Sequence, residues 1–377
     1  MKIALAGMTT CESWEGGESE IIMSLIKAFE KKGIEYCRVD AEKERRKKGK
    51  ILINELTLYN KYRKKFLEEK PDIVLGFSDH DHSYILACNK SKIPLILTAH
   101  GYWLICPKNS LFDYNKRVCE KSNFAKCRLC TIKTRSKYAI WNSVVRYSNI
   151  RNFAKYYRVI VPSNCVKNIL IKRGGYCEKN VKVVENGIDL SFWKYTPLEG
   201  LERRILFYSN FSEEKGLEYF IQLAKHFDEA RIKFMVAGRP VMVNNLNIQK
   251  LGILKREEVV KAVQEAYIVV VPSIWDEPFG LVSAQAMAIG RPVVAFDSGG
   301  LSEQVIDGKT GFLIKRGDFK GLCEKVEILI NDFNLAKKMG DEGRKRAEER
   351  YDQGGMVEKY IDFIQKELEL IAIKKRR

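Results

Sequence analysis

Residues 270–281 read Val270-Val271-Pro272-Ser273-Ile274-Trp275-Asp276-Glu277-Pro278-Phe279-Gly280-Leu281. The β-branched run Ile268–Val271 predicts a buried strand, the two prolines mark a loop, and helical periodicity begins near Leu281. Strand, loop and helix make one βα unit. The first turn of such a helix leaves backbone N–H groups without intrahelical partners, and these suit an anion. Glu277, just before it, can accept hydrogen bonds from hydroxyls. A carboxylate beside an anion-binding helix start suits a ligand that carries both hydroxyls and phosphate, such as a nucleotide sugar. Stripped of that chemistry, the same residues are a Glu-Pro turn that caps a helix.

Two further polar loops follow strands in the same way. Lys215-Gly216 comes after the strand Ile205–Ser209 and opens a helix near 216–227, where a lysine can meet phosphate. Asp297-Ser298-Gly299-Gly300 follows the strand Pro292–Phe296. Strands at Ile232–Ala237 and Gly311–Ile314, with helices near 256–265, 281–289, 320–330 and 354–372, complete a βα alternation in this half. The first half shows the same pattern. Residues 2–7 read as a buried first strand rather than a signal peptide, because the apolar stretch is short and runs into Glu12, Glu15, Glu18 and Glu20. Ile21, Ile22, Leu25, Ile26 and Phe29 then fall at helical spacing, and Ile73–Phe77, Pro94–Ala99, Arg158–Val161 and Val181–Val184 read as strands. The fold class is therefore α/β, with two tandem Rossmann-like, doubly wound parallel sheets expected to face a cleft. A length of 377 residues agrees with two domains of roughly 150 residues or more. The boundaries expected are 1–188 for the first domain, with a Cys-bearing insertion at about 102–133, then 189–352 for the second, and 353–377 for a last helix packing back on the first domain. Hydrophobic residues at 45% and aromatics at 11% exclude a disordered chain, and no apolar run reaches the ~18 residues of a spanning helix.

Glu277–Gly290, with Pro272-Ser273 before it and Gly290-Arg291-Pro292-Val293-Val294-Ala295 after it, resembles the signature of family 4 retaining glycosyltransferases of the GT-B fold. Gly16-Gly17-Glu18, Glu214-Lys215-Gly216, Asn186-Gly187-Ile188-Asp189, Gly299-Gly300 with Glu303, Asp307-Gly308 and Thr310-Gly311 match in the family's order along nearly the whole chain. The resemblance implies a nucleotide-sugar-binding second domain and an acceptor-binding first domain. It gives Lys215 the diphosphate and Glu277 the donor-sugar hydroxyls. The backbone amides of Phe279, Gly280 and Leu281 would bind sugar or phosphate, Gly17 would let its loop approach the β-phosphate, and His100 would reach the transferring sugar. Ile253 and Leu254 would lie near the base. No cofactor is required for transfer in this reading; the nucleotide-diphosphate sugar is a co-substrate.

The chain departs from the family at two positions. Gln285 stands where the family usually has a second Glu for the ribose hydroxyls, which predicts donor binding weaker by ~1 kcal/mol. Asn210, in Ser209-Asn210-Phe211, stands where an arginine is usual, and can donate to phosphate without neutralising it. The expected chemistry breaks the bond from the anomeric carbon to the diphosphate and brings the acceptor hydroxyl in from the same face. The leaving phosphate itself takes the acceptor's proton. Asp79-His80-Asp81 spells a metal-binding Asp-x-Asp, but its place in the first domain reads as coincidence, so transfer is expected to be metal-independent. Within the same two-domain shape the alternatives are a nucleotide-sugar epimerase and an inactive or regulatory nucleotide-sugar-binding homologue.

Charge marks the partner. Of a net charge of +18, residues 1–189 hold 36 Lys and Arg against 20 Asp and Glu, and residues 108–173 hold 16 against 2. Nothing else points to nucleic acid, so the field suits a phosphorylated substrate, a lipid-linked or glycan acceptor and an anionic membrane surface. Tyr138, Trp141 and Val145 on one helical face, among Lys133, Arg135, Lys137 and Arg146, predict an interfacial helix, and Lys43–Lys50 a second basic site. This places the protein in the cytoplasm, peripheral on the inner face of the cell membrane. Ten cysteines without a signal peptide read as mostly free thiols. Cys106, Cys119, Cys127 and Cys130 are the exception: four thiols within 25 residues, ending in C-x2-C, form a candidate structural zinc set.

Overall fold

The computed structural model describes residues 1–7, 17–39, 51–77, 83–120, 123–134, 154–209, 213–227, 232–238 and 248–376. These form two units, Met1–Val184 together with Met356–Arg377, and Glu185–Gly355.

In the first unit the strands are β1 (Lys2–Ala6), β2 (Glu35–Val39), β3 (Ile73–Gly76), β4 (Leu95–Thr98), β5 (Arg158–Val161) and β6 (Val181–Val183). They lie in the order β2-β1-β3-β4-β5-β6, every pair parallel. Parallel neighbours need crossovers, here supplied by α1 (Gly17–Lys32), α2 (Ile51–Glu69), α3 (Ser83–Ser91), α4 (Phe124–Thr134) and α5 (Asn164–Gly174). Every residue of β3 and β4 is buried, as expected for strands covered on both faces. The order reverses between β1 and β3, so the loops after those strands flank the topological switch point where such sheets bind ligands.

The second unit repeats the plan with β7 (Arg203–Tyr208), β8 (Ile232–Ala237), β9 (Ile248–Gly252), β10 (Ile268–Val271), β11 (Val293–Phe296) and β12 (Gly311–Ile314). The order is β12-β11-β10-β7-β8-β9, again all parallel, with the reversal between β7 and β10. Helices α6 (Leu217–His226), α7 (Arg256–Glu265), α8 (Leu281–Ile289), α9 (Leu301–Gln304), α10 (Phe319–Asn331) and α11 (Phe333–Arg350) cover its faces. Two cores result. Phe207, Phe220, Phe234, Phe296 and Leu329 pack on one side, and Leu206, Met235, Val269, Met287 and Ala295 on the other. The fold is thus the expected pair of doubly wound α/β units.

A last helix, α12 (Gln353–Arg376), carries the chain back to the first unit. Met356, Val357, Tyr360, Ile361 and Ile364 make one apolar stripe, packed in the cluster of Ile3, Leu5, Ile21, Leu25 and Phe29. Arg158 clamps it through Glu367 at 2.9 Å and Lys32 through Glu358 at 2.8 Å. Where the chain enters and leaves the second unit, Ile188 and Asp352 form a parallel bridge, with Ile188 N donating to Tyr351 O and Gln353 N to Ile188 O. Among the described residues no helix is long and apolar enough to cross a membrane.

Candidate functional site

The three polar loops of the second unit converge. β7 and β10 are adjacent at the switch point, so the chain that leaves each emerges at one edge of the sheet. After β7, a short 3₁₀ turn, Glu213–Lys215, brings Lys215 back towards the loop after β10. The Lys215 ammonium donates to both carboxylate oxygens of Glu277, at 2.8 and 3.0 Å. Backbone bonds hold the same three loops together: Ile274 N donates to Glu214 O at 2.9 Å, and Gly300 N to Glu277 O at 2.6 Å. Two glycines make this approach feasible. Gly216 has φ +77° and lies so close to Pro272 that a Cβ would stand 1.8 Å from its carbonyl oxygen; Gly299 has φ +61° and would put a Cβ 2.4 Å from Glu277 O.

Glu277 is 4% exposed yet remains a carboxylate. Burial alone would raise its pKa, but the charge of Lys215 and hydrogen bonds from Lys215, Ser273 and Trp275 outweigh it and hold the group below the ordinary carboxylate range. Ser273 Oγ donates to Glu277 Oε1 at 2.7 Å, and the Lys215 ammonium also lies 4.7 Å from the centre of the Trp275 ring. Asp276 turns the other way, to Arg316 at 2.5 Å. The loop ends at Gly280, φ +95°, from which α8 starts with no side-chain cap, so its first-turn amides are presented beside a buried anion and a cation. Such an arrangement can bind a ligand that pairs phosphate with hydroxyl donors.

Phe279, Gly280 and Leu281 form the start of α8, with the Phe279 ring edge-on to Tyr351 at 5.6 Å. One turn in, Gln285 is 8% exposed and its Oε1 accepts from the Tyr208 hydroxyl at 3.0 Å. Leu254 packs against the second core while Ile253, beyond β9, is 74% exposed. Two expected residues belong to the first unit. Gly17 opens α1 and is half-buried. His100 follows the carboxyl end of β4, where Thr98 Oγ1 donates to Gly76 O at 3.0 Å and Trp103 Nε1 to Thr98 O at 3.2 Å, fixing the chain on either side of it. Asn210, Asp79-His80-Asp81, the Lys43–Lys50 run and the expected helix with Tyr138, Trp141 and Val145 lie outside the described residues. Ser273, Trp275 and Tyr208 were not among the expected site residues. Their signal was adjacency to Glu277 and to the end of β7, which does not by itself tell a hydrogen-bonding side chain from a core one.

Two family profiles divide the chain between them: Glycosyltransferase Family 4 matches residues 16–192 and Glycosyl transferases group 1 matches residues 194–346. The chain belongs to the group 1, family 4 glycosyltransferases. It is 30% identical over 265 residues to an uncharacterised glycosyltransferase of Methanocaldococcus jannaschii, 68% of this chain and 64% of that protein. It is 44% identical over 75 residues to the capsular polysaccharide biosynthesis glycosyltransferase CapM of Staphylococcus aureus, 20% of each chain. In both cases the match spans less than two thirds of the curated relative's length. Among solved structures, Anabaena HepE in complex with UDP and glucose superposes with a TM-score of 0.70 at 17% identity, covering 97% of this glycosyltransferase-family chain and all of that one, a likeness of fold.

Proposed function

We propose that this chain is a retaining glycosyltransferase that moves a sugar from a nucleotide-diphosphate sugar to a hydroxyl of a glycan or lipid-linked acceptor, without a metal ion. The observation that carries the reading is the ion pair of Lys215 with buried Glu277 at the uncapped start of α8. Lys215 and the α8 amides take the diphosphate, and Glu277 accepts from the donor sugar's hydroxyls. As the anomeric bond breaks, charge grows on the leaving phosphate, and a fixed cation with aligned amides stabilises it. The diphosphate's own oxygen takes the acceptor's proton, so no protein base is required on the acceptor side. Family membership supports giving Gly17 to the β-phosphate and His100 to the transferring sugar. The basic first half, 36 Lys and Arg against 20 Asp and Glu, supports an anionic membrane surface as the place where a lipid-linked acceptor is met.

Thermal unfolding of the purified chain against a panel of nucleotide sugars tests this, because a ligand that binds the folded state raises Tm by mass action. One nucleotide sugar is expected to raise it, and transfer from that donor is expected to persist after brief EDTA treatment with no magnesium or manganese added. A panel without effect on Tm would remove the reading, and loss of transfer in EDTA restored by magnesium would remove metal independence. Gln285 in place of the family's second Glu favours one other reading, a nucleotide-sugar-binding homologue without transfer, which donor hydrolysis or transfer by the isolated chain excludes.

A further inference from the structure

Helix α4 is difficult to explain by packing. It has eleven residues, shorter than the about 12–15 that a helix needs to persist alone in water. Tertiary packing of an apolar face should therefore hold it, yet Leu129 and Ile132 are each 43% exposed, and among its described side chains Thr131 is the buried one. The face it turns inward consists of Cys127, Cys130 and Thr131, one turn apart, with Thr131 Oγ1 donating to Cys127 O at 2.8 Å.

Opposite that face stands a tight knuckle. Phe112 and Val118 form an antiparallel bridge, and Asp113 Oδ1 accepts from Asn115 N at 2.8 Å and Arg117 N at 3.2 Å inside it. Cys106 enters the knuckle and Cys119 leaves it, where Cys119 N donates to Leu111 O at 2.6 Å and Arg173 to Cys119 O at 2.8 Å. All four cysteines line one small cavity of about 20 Å³, closed on the apolar side by Leu111 and Phe112. That volume holds a single water-sized particle. None of the four is in a disulfide.

We propose that Cys106, Cys119, Cys127 and Cys130 hold one zinc ion, which fastens α4 to the knuckle of residues 106–119. Four thiols delivered in two pairs, one from a helical C-x2-C and one from a turn, match a closed four-coordinate structural site rather than a catalytic one. Among the described residues no three His, Cys, Asp or Glu side chains stand as a ready-made metal group, so the thiols must turn inward across the void to close on the ion. Zinc binding forms four Zn–S bonds of about 2.3 Å and sends four S–H protons to solvent, with no change of oxidation state. The resulting centre carries two negative charges, and Lys108 and Lys126 line the same cavity to meet them.

The test is elemental analysis of the full chain, expressed with zinc and purified under reducing conditions without chelator, followed by exchange with cobalt(II). About one zinc per chain is expected, with the visible absorption of tetrahedral thiolate-bound cobalt after exchange. The double variant Cys127→Ser/Cys130→Ser is expected to lose the metal at least tenfold, while Cys177→Ser, an exposed cysteine outside the cavity, retains it. Wild-type protein without zinc and without cobalt absorption overturns the proposal, as does metal retained by the double variant or release of the four thiols by reductant rather than chelator. The wild-type measurements need no variant to fold, and none depends on sugar transfer, so this inference and the proposed function fail separately.

Discussion

Lys215 donates to both carboxylate oxygens of Glu277, at 2.8 and 3.0 Å, and the partners differ in environment: the Glu277 side chain is 6% exposed and that of Lys215 is 27%. The pair is therefore a buried anion neutralised by a cation that still reaches solvent. Under the proposed function, an arriving diphosphate competes with Glu277 for Lys215 and sugar hydroxyls replace the ammonium at Glu277, so the resting pair keeps both groups charged and in position.

Removal of the cation should expose the cost of the anion. Breaking a fully buried pair costs about 3–5 kcal/mol, and partial exposure of Lys215 reduces this to about 1–2 kcal/mol for Lys215→Ala. In a double-mutant cycle with Glu277→Ala, measured by urea unfolding, a favourable coupling of about 1–2 kcal/mol is expected. Additive effects would show that the two side chains do not sense each other. Under the proposed function, Lys215→Ala also weakens nucleotide-sugar binding at least tenfold.

Gln285 accepts from Tyr208, whose hydroxyl also lies 3.2 Å from Val282 O, so a carboxylate at this position would still find its hydrogen bond. Gln285→Glu should therefore fold normally and, under the proposed function, tighten the nucleotide sugar by about 1 kcal/mol, roughly fivefold in Kd. Calorimetric titration checks it; unchanged or weaker affinity would separate Gln285 from the ribose.

The fold was legible because ten of the twelve strands are short apolar runs between turn residues, and Ile268–Val271 is apolar throughout. The two strands not expected, β2 and β9, are both edge strands, with exposed residues such as Glu35, Arg38, Gln249 and Lys250, so they carry no continuous apolar signal. Helix α11 was missed for a different reason. It packs on α8 through Gly340, Gly343 and Ala347, small residues that let backbones approach but do not make a hydrophobic stripe. At the candidate site the charged residues were legible from the loops that carry them. Ser273, Trp275 and Tyr208 were not, because their role depends on which atoms the folded loops bring near Glu277 and Gln285.

Arg291 predicts a purely structural effect. It is fully buried, and its guanidinium donates to the carbonyls of Val263 at 3.2 Å, Gln264 at 2.6 Å and Thr196 at 2.7 Å, joining the end of α7 to the chain before β7. Burial pushes its pKa down to about 10, which still leaves it charged at neutral pH. Arg291→Met leaves those carbonyls without their donors, at about 1–3 kcal/mol each, and a loss of at least about 3 kcal/mol is expected in urea unfolding. Arg291→Lys restores one donor site and recovers only part of it. A loss below 1 kcal/mol for Arg291→Met would mean that water replaces the guanidinium.

Acid should remove the contribution of Glu277 in a defined window. Its pKa lies below the ordinary value of 4.5 in the folded protein, so folding favours its charged form. A carboxylate of this kind stabilises the protein fully above its unfolded-state pKa, and the benefit fades as pH falls through the lower folded-state value. The stability difference between wild type and Glu277→Gln should therefore be constant from pH 7 to about 5.5 and shrink below about 4.5. Urea unfolding of both proteins across that range measures it. A difference that instead vanished between pH 7 and 6 would mean that Glu277 takes up its proton near neutrality, the behaviour of a carboxylate whose burial is not offset by Lys215.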